Sequence, residues 1–375
     1  MNKISAVKPE KSETSKQYQR TKLLYSVIGF IVGLGFLISI VSSGYTTKTE
    51  EFIRFYVQND YLVLLIFITF LGIIEAVLLF PLNVISGFVI EHRYQLSNQR
   101  FSSWLWEQTK GILVSYPIML IIIAIFFTLL RRYPQNWWFW MGSVMVLFSI
   151  IIARLAPVLL FPLFYKFVPL EDKSLATDVS ALCKTVGLRL KGVYQFNLSK
   201  TTRKANAAFT GIGKSKRVIL GDTLLSSMES DEILAVLAHE LGHYKLKHIW
   251  KGMAIGIMIT FLGLFLVATA YNSMLILFHF RYPAQIAALP LIGILLTIYQ
   301  FVTAPLQNAY SRANERVADD FAVKLTGNSQ SFISGLNKLA EQNLSDRTPH
   351  PLVEFLFYSH PSIDKRISRL QEKFT

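Results

Sequence analysis

His239 and His243 stand four residues apart with Glu240 beside the first, and this is the part of the chain whose residue types and spacing most directly permit chemistry. On an α-helix positions i and i+4 share a face, so both imidazoles can reach one Zn²⁺ while Glu240 reaches a water on that metal. Zinc would lower the pKa of that water and polarise a peptide carbonyl, and the carboxylate would take the proton. The single cysteine, Cys183, excludes an internal disulfide and a thiolate cluster, so any metal site must use histidines and carboxylates. A site of this kind needs a third protein ligand and an open fourth position. Glu315 is the candidate, within Ser311-Arg312-Ala313-Asn314-Glu315-Arg316-Val317-Ala318-Asp319; the competing reading is a surface carboxylate paired to Arg312 or Arg316. Asp319, one turn further along the same face, is expected to accept the second N–H of a ligand histidine. His248 lies too far along to share the metal and is expected to be structural or at the surface.

These side chains need helices to hold them, and the periodicity supplies some. Residues 231–248 read as a helix capped by Ser230 and Asp231, with Ile233, Leu234, Leu237 and Leu241 at helical intervals. A second helix spans 174–186 and stops at Gly187, short β-prone runs cover 192–196 and 217–220, a third helix runs over 311–327, and 363–370 is amphipathic. Together 166–251 forms a compact catalytic domain, to which 311–375 adds the third ligand.

The rest of the chain is unlike a soluble protein. Of 375 residues 52% are hydrophobic and 17% charged, and the mean hydropathy is +0.39; this predicts an all-α polytopic membrane protein carrying a small α+β domain. The net charge of +14 then reflects loops facing an anionic leaflet, so membrane lipid is an expected partner and nucleic acid is not. Runs at 23–47, 61–90, 111–130, 252–280 and 282–310 are long enough to cross a bilayer, giving a membrane region over 1–165 and a hairpin over 252–310. The first follows a basic tail (Lys3, Lys8, Lys11, Lys16, Arg20, Lys22) and reads as an anchor rather than a cleaved signal. Segment 137–165 is ambiguous, because Arg154, Pro157 and Pro162 interrupt it: one crossing gives six spans, two give seven. With one, the tail and the 91–110 loop, with six and three Lys/Arg, share a face with the catalytic region, which the positive-inside rule makes cytoplasmic.

Six ordered blocks resemble the integral-membrane zinc metallopeptidases typified by the CAAX prenyl endopeptidase. They are 156–170 (ending Pro162-Leu163-Phe164-Tyr165-Lys166-Phe167-Val168-Pro169-Leu170); Asn206-Ala207-Ala208-Phe209-Thr210-Gly211; 216–225; 235–248 around His239-Glu240-Leu241-Gly242-His243; Ser311-Arg312 with Glu315 and Ala318-Asp319; and His360-Pro361 with Arg366. The resemblance implies a ring of membrane helices around a water-filled chamber, a zinc site at its cytosolic end with Arg312 and Asp319 behind the ligands, and seven spans. Seven would split 137–165 and put the N-terminus opposite the catalytic domain, against the charge count. It also implies that 206–211 is an edge strand gripping substrate as an added β-strand, with Asn206 and Ala207 as contacts. His360 would donate to the oxyanion, and Arg366 would contact substrate or serve as a packed salt-bridge residue.

The expected activity is therefore a zinc endopeptidase acting on peptides or proteins, prenylated CAAX-type substrates first. Two other readings are open: a quality-control protease clipping misfolded membrane proteins, and a transporter or binding protein with a vestigial motif. The intact Glu240 argues against the last, because a binding site needs no general base.

Overall fold

A bilayer offers no partner for backbone N–H and C=O groups, so long apolar runs close their hydrogen bonds internally as helices. The structure, a computed structural model, describes residues 9–211 and 216–374; Lys3, Lys8 and the Lys11 side chain of the basic tail lie outside them. Among the described residues six helices are long and apolar enough to cross a membrane: Ser12–Ser42, Asp60–Arg93, Phe101–Arg132, Trp137–Phe164, His248–Leu277 and Ile286–Thr326. We number the helices α1 (Pro9–Ser42), α2 (Tyr45–Tyr56), α3 (Asp60–Val84), α4 (Phe101–Arg132) and α5 (Trp137–Leu155). A π turn at Ile85–Val89 carries α3 on to Arg93.

The segment around Pro157 and Pro162 is one crossing. After α5 the chain widens into a π turn at Ala156–Leu160 and resumes as Phe161–Phe164. A proline removes an N–H and crowds the preceding turn, and the wider π turn accommodates it without breaking the helix. Among the described residues 137–164 is thus one helix, not the two that the seven-span arrangement implied by the resemblance would place there, and six helices are of crossing length. Four crossings precede the catalytic domain, which returns its start to the end of the molecule where α1 begins. Contacts agree: Tyr18 donates to Glu91 at 2.7 Å, Lys204 reaches Tyr18 at 2.8 Å and Glu91 at 3.0 Å, and Gln19 donates to the Leu344 carbonyl.

The crossing helices bury little of their apolar windows, from 0% in Trp137–Phe164 to 39% in Ile286–Thr326.

The polar half opens with β1 (Phe167–Pro169) and α6 (Lys173–Thr185), capped by Asp172 and ended by Gly187 at φ 79°. Then come β2 (Gly192–Phe196), β3 (Ala207–Thr210), β4 (Arg217–Gly221) and the short α7 (Asp222–Leu225). The strand order is β1-β2-β4-β3, with β2 parallel to β4 and β3 antiparallel to it, so β3 is an edge. Helix α8 (Ser230–Lys245) covers the sheet through Ile233, Leu237 and Leu241. Its cap is not Ser230 and Asp231 as expected but Glu229, whose reciprocal bonds with Glu232 form a capping box. It also stops short of His248: Lys247 takes a left-handed φ of 58°, and His248 begins the next membrane helix, α9 (His248–Leu277).

The expected helix over 311–327 is the end of α10 (Leu289–Thr326), unbroken through the membrane and into the catalytic domain. At 1.5 Å per residue this 38-residue rod spans about 57 Å, and the division drawn at 310/311 falls inside it. α11 (Ser329–Gln342), α12 (Pro351–Phe357) and α13 (Ile363–Phe374) close the domain against α8 and α10.

Candidate metal centre

Helices α8 and α10 bring together what the sequence keeps 72 residues apart between His243 and Glu315. They approach closely because Gly242 has no side chain: a Cβ there would lie 3.1 Å from the Ala318 Cα and 3.2 Å from Phe321. Two of its three nearest atoms belong to the Ala318 backbone, which cannot turn aside. Gly242→Leu is expected to lower stability by at least about 1–3 kcal/mol, read as a lower unfolding midpoint in detergent, with metal binding lost in parallel. An unchanged midpoint would mean the helices part without cost.

At this crossing His239 Nε2 lies 3.2 Å from Glu315 Oε2, His243 Nε2 lies 3.1 Å from Glu315 Oε1, and the two Nε2 atoms are 3.2 Å apart. Tetrahedral ligands at about 2.0–2.1 Å from a zinc ion are about 3.3 Å from one another. The two imidazole nitrogens and the Glu315 carboxylate, which meets each ring with a different oxygen, are thus spaced closely enough to share one ion. His239 and Glu315 are 6% and 4% exposed, and the buried Glu315 Oε2 has no hydrogen-bond partner. A buried acceptor left so is costly unless something electropositive sits beside it. Two imidazoles and a carboxylate suit a divalent metal of zinc type.

Behind this face His239 Nδ1 lies 2.8 Å from Asp319 Oδ1, the expected outer bond, which leaves Nε2 for the metal. Burial alone would lower the His239 pKa; the bonds to Asp319 and Glu315 outweigh it and raise the metal-free group to about 9. Asp319, fully buried, takes a bidentate pair from Arg366 at 2.9 and 2.5 Å. Arg366 is therefore not free for substrate: its guanidinium is buried and committed to Asp319, and the packed salt-bridge role is the one observed. Burial opposes its charge, but Asp319 more than compensates and holds its pKa above the usual arginine value.

Arg312 differs from expectation too. It donates to the carbonyls of Glu354 (3.0 Å) and Tyr358 (2.5 Å) and so fixes the turn that presents His360, rather than standing behind a metal ligand. His360 Nε2 is 3.4 Å from Glu315 Oε1, and Ser359 Oγ lies 2.9 Å from its Nδ1. Partial burial lowers its pKa against the pull of Glu315, with Arg366 adding to the lowering, which favours the neutral ring.

His248 was missed. It is 8% exposed, and its Nδ1 lies 3.1 Å from the Nδ1 of His243, holding that ring as Asp319 holds His239. Only the left-handed residue Lys247, which starts a new helix direction, makes the contact possible, and spacing carries no sign of it.

Glu240 stands where two cavities meet. One, of 480 Å³, is lined by His239, Glu240, Glu315, Phe332, His360 and Arg366. The other, of 520 Å³, is lined by Phe209, Gly211, His243, Gly252, Gly256 and Tyr310 and reaches between the membrane helices α9 and α10. The edge strand β3 borders the second. Gly221 N–H donates to the Asn206 carbonyl at 2.9 Å, so by antiparallel alternation Ala208 and Thr210 also face β4 while Ala207 and Phe209 present N–H and C=O to the free edge. The expected contact at Ala207 thus lies at the open edge. Asn206 does not offer its carbonyl, and only its exposed side chain is available.

The description of peptidase family M48 matches residues 169–373, and that of the CAAX prenyl protease N-terminal region, five membrane helices, matches residues 3–166. Over that second range this chain has four helices of crossing length among its described residues, with the shorter α2 between the first two. It is 31% identical to an uncharacterized metalloprotease, YhfN, of Bacillus subtilis, across 98% of this chain and 87% of the relative. It is 28% identical to CAAX prenyl protease 1 of Saccharomyces cerevisiae, across 95% and 84%. The crystal structure of S. mikatae Ste24p superposes with a TM-score of 0.88 at 28% identity, covering 98% of this chain and 90% of that one.

Proposed function

Because this chain belongs to peptidase family M48, and is thus a membrane metalloendopeptidase of peptide or protein substrates, we propose that its metal is one zinc ion held by His239, His243 and Glu315 and that its substrates are CAAX-type prenylated chains. The observation that carries this is the convergence of the three side chains beside Glu240, where the cavity lined by His239 and Glu315 meets the one that His243 borders and that runs between membrane helices. The named relatives of CAAX type support the substrate class, and the lysines and arginines at the catalytic end support a cytoplasmic face.

When bound, zinc supplies a Lewis acid for the scissile carbonyl and an acidified water. The chain's own residues do the rest. Glu240, between the two cavities, takes the proton of the attacking water and passes it to the leaving amine. His360, held by Arg312 through its turn, donates to the developing oxyanion. Substrate lies extended along β3, pairing with Ala207 and Phe209, with its apolar or lipidated end in the cavity against α9 and the hydrolysed bond beside Glu240.

A panel of farnesylated and unlipidated peptides, assayed with and without a chelator, tests this reading. Chelation should abolish cleavage, and farnesylated peptides should show the higher kcat/KM. Asn206→Ala should raise KM or lower kcat/KM at unchanged metal content, and N-methylating the substrate amides opposite Ala207 and Phe209 should do so more strongly. Indifference to the lipid would move the assignment to general membrane proteolysis, the quality-control reading; indifference to both Asn206→Ala and N-methylation would remove strand addition.

A further inference from the structure

The face of the sheet turned away from α8 holds a third cavity, which the proposed reaction does not use. It measures 500 Å³ and lies where the crossing Trp137–Phe164 ends, between Pro157, Phe161 and Pro162 on one side and Lys166, Thr210 and Arg217 on the other. Both charged residues lining it are cations, and among the described residues neither has a carboxylate partner. Thr210 and Arg217, opposite each other in the β3/β4 register, each bury a polar atom with no hydrogen bond, Thr210 Oγ1 and Arg217 Nε. An unpartnered buried donor costs about 1–3 kcal/mol, so two in one cavity call for a ligand rich in acceptors. The Arg217 guanidinium is held 5.5 Å over the Tyr194 ring.

The depth of the cavity says which ligand. Lys110 pairs with Glu107 at 2.7 Å, reaches the Leu163 carbonyl at 3.2 Å and sits 5.1 Å over the Phe164 ring, so charged groups stand level with the end of this crossing, where a span meets the headgroups. Val158, Leu159 and Leu163, on the same turns as the cavity wall, are 54%, 55% and 51% exposed, an apolar track along the end of this crossing.

We propose that this cavity binds the headgroup of an anionic glycerophospholipid. Arg217, Lys166 and the Thr210 hydroxyl donate to the phosphodiester oxygens, for which a guanidinium fork is well shaped, and the acyl chains lie along the exposed end of the membrane helix. Thr210 closes β3, so an occupied site also steadies the edge strand where it borders the metal cavity.

The test uses the whole protein in nanodiscs of phosphatidylcholine with or without phosphatidylglycerol, counting by native mass spectrometry the lipid that stays bound after release into detergent. Wild type should retain phosphatidylglycerol and not phosphatidylcholine. Lys166→Gln and Arg217→Gln should each retain about fivefold less, the effect of one basic side chain near an anionic headgroup, with metal content unchanged. If Arg217→Gln fails to fold, Lys166→Gln decides, since its side chain makes no described bond. Equal retention by wild type and Lys166→Gln, equal retention of both lipids, or displacement of the lipid by millimolar inorganic phosphate would each overturn the proposal.

Discussion

Glu240→Gln is expected to lose turnover by about 10²- to 10⁴-fold while keeping its metal and its fold. The amide fills the same volume between the two cavities but cannot accept the proton of the attacking water. Glu240 is not among the three ligand atoms that converge, so nothing in the metal site should loosen. The decisive measurement is kcat at saturating peptide beside metal content per chain. A fall in kcat with KM nearly constant marks a group acting in the transition state. Near-wild-type kcat would place the base elsewhere, and His360, across the first cavity, would be the next group to replace.

The second large effect concerns the metal. Glu315→Ala and His243→Ala should each leave the purified protein with little or no zinc and no measurable cleavage, because two remaining ligands cannot complete the site. Glu315→Ala should do more than remove a ligand. In the metal-free protein its carboxylate also faces both histidines and His360, so the cluster also loses the negative charge that these three rings share. Stoichiometric zinc in either variant would sink the ligand assignment. Arg366→Ala provides a graded comparison, since it strips Asp319 of its guanidinium partner and leaves the three proposed ligands in place: outer partners of this sort typically change metal affinity by about 10–100-fold. Zinc titration against a competing chelator separates the two kinds of effect.

The lower limit of what this protein does was legible in its residues. Helical spacing alone puts His239 and His243 on one face with Glu240 adjacent, because the backbone period is a local property. The membrane class, and five of the six crossings, follow from length and the absence of charge, because a bilayer demands both. The β2 and β4 runs and the helix stop at Gly187 were equally local.

What only the tertiary structure decided depends on atoms distant in sequence. Whether 137–165 crosses once or twice turned on how a π turn accommodates Pro157, a geometry that composition does not specify. The charge count favoured the arrangement that the contacts from Tyr18 to Glu91 and Lys204 display. Sequence left Glu315 as either a ligand or a surface carboxylate; the single rod α10 carries it from the membrane to where α8, thinned at Gly242, admits it, buried beside His239 and His243, and its ligation is the proposal built on that. Arg312 and Arg366 were matched to the right neighbourhood, but sequence placed Arg312 behind a ligand and left Arg366 between substrate and a packed salt bridge, since a guanidinium's partners are set by which carbonyls and carboxylates the fold brings within reach. His248 was invisible to spacing because its approach to His243 follows a left-handed turn at Lys247. Periodicity fixes which side chains share a face; it does not fix which faces meet, and that depends on the packing of helices whose contacts lie tens of residues apart.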